Sequence, residues 1–221
     1  WPEDVCPLIR KRLGDMYDFA NVNIQNCDLE PLLKSLQGLH MHQAMCVVKT
    51  MFNGWATSYR YKEIRLLPCI FGCLHAKDDL PHYLVCTKLW TAVQEATGIP
   101  VRKSVAKRIG ILDPCHSDQK QIGIAFTTYH TLRNAHSDCI DRALDGPTSG
   151  DFGSVCALAL SIATSAARDF ELFAHCSPAV DPNESVPPDI AHADRNLELI
   201  QPAASPAVDP DQTVTSDSAH A

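Results

Sequence analysis

Three cysteines and one histidine, Cys69, Cys73, His82 and Cys86, fall in the order C-x3-C-x8-H-x3-C, and this cluster constrains the fold more than any other feature. Two thiols three residues apart call for a tight turn, which Gly72 between them eases. His82 and Cys86 are four apart, so on a helix beginning near Leu80 they project from one face. A turn meeting a helix face in this way can close a tetrahedron of Zn–S bonds of about 2.3 Å and Zn–N bonds of about 2.0 Å. We expect one zinc ion held by Cys69, Cys73, His82 and Cys86. Four protein ligands leave no position for water, so the expected role is structural. His75 is the rival histidine, ranked lower because it follows Cys73 by only two positions. The bland alternative is a chance grouping in a chain of ten cysteines, with His82 on a solvated face.

The other cysteines do not suggest a disulfide scaffold, which belongs to small secreted chains with little core. Cys6, Cys27, Cys46, Cys139, Cys156 and Cys176 are scattered singly, and hydrophobic residues make up 45% of the chain. Reduced thiols and one metal site are expected, with the compartment open between nucleus and cytoplasm. No apolar run approaches the roughly 20 residues that span a bilayer, and no membrane partner is expected.

Around the cluster the apolar residues recur at helical spacing. Helices are predicted over Pro7–Phe19, Leu29–Leu39 and Met41–Trp55. Another, capped by Asp79, should run from Leu80 to Thr97 and stop at Gly98. A long one should follow Ser117 or Asp118 and end at Gly146-Pro147. The last should span Ser154–Ala174, with Leu158, Ile162, Ala166 and Phe170 inward. The expected fold is all-α, with the zinc knuckle embedded in a small helical domain. We divide it into helical residues 1–66, the knuckle and its helix at 67–98, helical residues 99–176, and a tail at 177–221. The tail carries a 28-residue unit and its truncated copy, Ser177-Pro178-Ala179-Val180-Asp181-Pro182 recurring as Ser205-Pro206-Ala207-Val208-Asp209-Pro210. Rich in Pro, Asp, Ser and Ala, it cannot bury enough surface to offset ordering entropy, so disorder is expected.

Charge divides along the same lines. The net charge of −7 resides in the tail, where eight acidic residues face Arg195 alone. The preceding residues are balanced, and within them Gln43–Gly110 carries ten Lys/Arg against four Asp/Glu. A basic middle of this kind suits phosphate. The candidates are Arg60, Lys62, Arg65, Lys77, Lys88, Arg102, Lys103, Lys107 and Arg108. Tyr59, Tyr61 and Trp55 lie among them and can stack on bases, although Trp55 and Trp90 fall on apolar stripes that favour the core. A solvated basic face is the plain alternative.

Catalytic patterns are missing. The Asp78-Asp79 pair lacks the aromatic-x context of a polymerase metal site and reads as a helix cap. Cys115-His116 reads as a loop, since adjacent residues rarely face one substrate. No phosphate loop or nucleophile elbow occurs, so no enzyme activity is expected of this chain.

The residues Asn53-Gly54-Trp55-Ala56-Thr57-Ser58, Leu67 to Cys73, Asp79, His82-Tyr83-Leu84, Cys86 and Leu89-Trp90 resemble the zinc-binding segment that follows the polymerase domain in non-LTR (LINE-type) retrotransposon reverse transcriptases. The resemblance covers about a quarter of the chain. It departs from the commoner form in having three residues, rather than two, between Cys69 and Cys73. It implies sequence-tolerant RNA or DNA binding near a polymerase and no activity for this segment alone. The start at Trp1, with Met16 the first methionine, leads us to expect a piece of a longer polyprotein. The alternatives are a zinc-stabilised helical module for protein partners, with the tail as a contact, and a retroelement remnant without function.

Overall fold

The computed structural model describes residues 5–16, 23–73, 75–145 and 151–176, with side-chain surroundings as far as Glu171. The tail and its repeat lie outside the described residues. Ten helices occur among those described: α1 Val5–Met16, α2 Glu30–Gln37, α3 Met41–Met51, α4 Ser58–Tyr61, α5 Leu80–Tyr83, α6 Thr87–Thr97, α7 Val105–Arg108, α8 His116–Ala135, α9 Ser137–Asp145 and α10 Gly153–Cys176. A 3-10 turn, Ile24–Asn26, joins α1 to α2. No strand is present among the described residues, only one isolated antiparallel bridge between Pro68 and Lys77. The fold is all-α, as the periodicity predicts.

The centre of the fold is α8, against which α3, α6 and α10 pack. Its buried residues include Ile122, Ile124, Ala125, Phe126, Tyr129 and Leu132, spread round the helix as expected when neighbours cover several sides. Gly123 permits a close approach of α10, because a Cβ there would stand 3.0 Å from Phe170 Cζ. The inner face of α10 is a row of small residues, Val155, Ala159, Ala163, Ala166 and Ala167, ending in Phe170. Leu158 and Ile162, expected inward, are only half-buried and flank this row. The alanines bring α10 close to α6 and α8, and the larger residues cover the margins.

Two expected helices are broken. The segment from Leu80 to Thr97 makes one turn, α5, then leaves the helix so that Cys86, extended at φ −61° and ψ 106°, is the N-cap of α6. The run from Ser117 to Leu144 stops at His136 and restarts as α9, whose buried Ile140 and Ala143 need a new direction to reach the core. The cap of α8 is Cys115 rather than Ser117 or Asp118, and Asp118 is buried in the first turn.

Trp55 and Trp90 are core residues. The Trp55 indole N–H donates to Thr50 Oγ1 at 2.9 Å, and its ring lies 5.9 Å from Tyr83, 5.7 Å from Phe126 and 5.2 Å from Tyr129. The Trp90 indole donates to the Tyr83 carbonyl at 2.9 Å. Residues of all three helical segments contribute to one hydrophobic core.

Candidate metal centre

Two short pieces of backbone bring the four ligands together. The first is the turn from Leu67 to Asp78. The Cys69 N–H donates to Ala76 O at 2.8 Å, Gly72 N–H to Cys69 O at 2.9 Å, and Asp78 N–H to Leu67 O at 3.0 Å. Gly72 has φ +75°, and a Cβ there would lie 2.3 Å from Phe152 Cγ, so conformation and packing both demand glycine. Lys88 of α6 donates to the Gly72 carbonyl at 2.9 Å and fastens this turn to the second piece.

That second piece is α5 and the start of α6. Asp79 caps α5, its carboxylate accepting from His82 N–H at 2.9 Å. Cys86, as N-cap of an 11-residue helix, sits where the partial positive charge of the helix end favours a thiolate.

The sulfur of Cys86 lies 3.9 Å from that of Cys69 and 3.5 Å from that of Cys73, and all four ligand atoms lie within 4.8 Å of one another. A tetrahedral ion with bonds of about 2.3 Å would set its sulfurs about 3.8 Å apart. Cys69 and Cys86 are buried, while Cys73 and His82 are half-buried. Nε2 of His82 is buried with no hydrogen-bond partner among the described residues. Buried nitrogens are rarely left so, and an ion within the group supplies what is missing.

The thiols point the same way. The hydrogen bond from Cys86, helped by His82, holds the Cys69 thiol well below its usual range. The same bond, together with burial, drives Cys86 upward. Burial and the Cys69 charge raise Cys73. Three crowded sulfurs thus favour one negative charge among them, and a bound cation is what would stabilise all three as thiolates. The group can hold a metal ion. His75 is exposed, at φ +59°, outside the group of four.

Behind the centre lies a feature that sequence reading missed. Asp79 is the cap, but Asp78 is fully buried. One carboxylate oxygen accepts from Ser58 N–H at 2.7 Å. The other accepts from Tyr83 O–H at 2.6 Å and Tyr129 O–H at 2.9 Å. Asp78 therefore ties the metal turn to α4, α5 and α8. Burial and the Asp78 charge hold the Tyr83 phenol well above its usual range. Nothing in the local pattern marks Asp78 as a hub, because two of its three partners lie 20 residues before it and 51 after it.

The basic candidates separate into three groups. Arg60, Lys62, Lys77, Lys103 and Lys107 are exposed. Arg65 pairs with Asp141 and Asp145 of α9, and Lys88 braces Gly72 with its ammonium 5.7 Å from the Phe152 ring centroid. Arg102 bridges Asp113 and Asp118, each at 2.9 Å. Arg108 corrects the expectation most sharply. It is 8% exposed, donates to the carbonyls of Arg102 and Leu84, and lies 4.6 Å over the Trp90 ring. It braces α7 against α6 and cannot reach a phosphate.

Comparison with protein-family models, curated proteins and solved structures returns no match. The metal group, the Asp78 hub and the surface beside them are what bear on function. No helix among the described residues is long and apolar enough to cross a membrane.

Proposed function

We propose that this chain is a non-catalytic nucleic-acid-binding segment stabilised by one structural zinc ion, of the kind that follows the polymerase domain in non-LTR reverse transcriptases. The observation that carries the reading is the pairing of a closed four-ligand group with an exposed basic and aromatic surface built on it. Lys77 leaves the metal turn with its ammonium 5.4 Å from the Tyr59 ring centroid on α4. The Arg60 guanidinium lies 4.9 Å from the ring centroid of Tyr61, which is 58% exposed. A cation beside an open ring is a surface on which a base can stack while its phosphate is neutralised.

The residues behind the family resemblance are also those that build this centre. Trp55 stacks on Tyr83, Ser58 holds Asp78, and Trp90 fixes the Tyr83 carbonyl. Three thiolates and one imidazole suit zinc and leave it no open position. Metal analysis should return one zinc per chain, lost in Cys73→Ser.

Binding should be weak, sequence-tolerant and salt-dependent. Fluorescence anisotropy with a labelled single-stranded oligonucleotide tests this. Arg60→Ala, Lys62→Ala and Lys77→Ala together should flatten the log K against log salt slope by about 2, at about 0.7 per phosphate contact. An unchanged slope overturns the reading. It would favour a protein partner instead, for which Ile64, at 109% exposure, and Leu66, at 49%, offer an apolar contact beside the same loop.

A further inference from the structure

On the face of the domain where α3, α8 and α10 meet lies a cavity of about 340 Å³, within the range of small-molecule sites. One wall is Lys120 on α8, another is Gln43 on α3, and Leu39, Ile99 and Phe170 supply the apolar lining. Gln43 is only 8% exposed, yet its amide has no hydrogen-bond partner among the described residues. Its stem packs over Gly123, with Cγ 3.5 Å from where a Cβ would stand. The amide atoms are not among the fully buried polar atoms, so with the stem packed they open into the cavity.

Lys120 is also under-used. Its side chain is 20% exposed, and its ammonium has one partner, the Glu171 carboxylate at 3.0 Å, which is itself 66% exposed. An ammonium has three donors. Two under-used donor groups therefore line a mainly apolar cavity with a single carboxylate at its rim.

We infer that this cavity binds a small organic anion. Its carboxylate sits between the Gln43 amide and the spare donors of Lys120, and its apolar body lies against Leu39, Ile99 and Phe170. The inference is independent of nucleic-acid binding and uses no residue of the metal centre.

The test is an NMR titration of the full, metal-loaded chain, labelled at glutamine side-chain nitrogen, with sodium benzoate. Benzyl alcohol, a neutral molecule of similar size, is titrated in parallel. Benzoate should shift the Gln43 amide saturably, with benzyl alcohol about tenfold weaker for want of a charge-assisted bond. Gln43→Leu and Lys120→Ala should each weaken benzoate about tenfold. Gln43→Leu should not lower the thermal midpoint, because it removes an unpartnered amide. Lys120→Ala alters a side chain at the cavity rim and keeps the test open if Gln43→Leu folds poorly. Absence of saturation, equal affinity for the alcohol, or unchanged binding in Lys120→Ala overturns the proposal.

Discussion

Replacing Gly72 with alanine separates two costs that act at one atom. The first is conformational: φ of +75° costs a residue with a Cβ about 1–2 kcal/mol. The second is steric. The new methyl would stand 2.3 and 2.4 Å from Cγ and Cδ2 of Phe152, so the ring must leave, with an overpacking cost of about 1–3 kcal/mol. The single substitution should therefore destabilise the metal-loaded protein by about 3.5 kcal/mol, the middle of those two ranges combined. In a Phe152→Ala background the two ring contacts disappear while Cβ of residue 152, 2.8 Å from the new methyl, remains, so Gly72→Ala should cost the conformational part of about 1–2 kcal/mol and only a small steric remainder. Urea denaturation of the wild type, both single variants and the double closes the cycle, with an expected coupling of about 1–3 kcal/mol. Metal affinity should fall in both backgrounds, because the strain lies between Cys69 and Cys73. A coupling near zero would refute the packing argument. A cost below about 0.5 kcal/mol in Phe152→Ala would refute the conformational one.

Three further outcomes follow from the buried polar groups. Asp78→Ala leaves Ser58 N–H and the Tyr83 hydroxyl without their acceptor, Tyr129 O–H keeping the Ala56 carbonyl at 3.1 Å, and should cost at least about 3 kcal/mol in urea denaturation, against about 1 kcal/mol for Tyr129→Phe; near-equal costs would remove Asp78 from its place as a hub. Arg108→Ala should destabilise by about 3 kcal/mol while leaving the salt slope of oligonucleotide binding unchanged, and Lys103→Ala with Lys107→Ala should do the reverse; a flattened slope in Arg108→Ala would contradict its burial. Burial, aided by Lys49, lowers His130 from 6.5 to about 4. The unfolded chain then takes up this proton first, so stability complete above pH 6.5 is lost as pH falls toward 4. Thermal midpoints between pH 7 and 5 at saturating metal should fall less steeply in His130→Gln, and an equal slope would exclude this histidine as the source.

The metal group was legible because its information is local. Cys69 and Cys73 share a turn that Gly72 announces, and His82 and Cys86 lie four residues apart. The helical class was legible because leucines, isoleucines and valines recur with a helix period. The break at Leu84–Cys86 was not, since the apolar pattern runs on through it. What ends the helix there is the need of Cys86 to face the other sulfurs, a constraint arising from residues 69 and 73. Asp78 was read together with Asp79 because adjacency suggested one role. Their separation into cap and hub depends on Tyr129, which only the packing of α8 brings near. Arg102 and Arg108 are indistinguishable from Lys103 and Lys107 by composition. Burial of Arg108 against Trp90 and the pairing of Arg102 with Asp113 and Asp118 make these two structural, while Lys103 and Lys107 stay in solvent.

Tyr83 follows the ligand His82 directly, and both described tryptophans touch it, Trp55 by stacking at 5.9 Å and Trp90 through its indole N–H. Any motion of α5 on metal release is therefore transmitted at once to two indoles that are otherwise shielded from water. Intrinsic emission should report the state of the centre without an added dye. Loss of the ion should shift Trp55 and Trp90 to longer wavelength as water reaches them. In Tyr83→Ala the optical signal should part from metal content, which gives a direct way to follow how fast the ion enters and leaves.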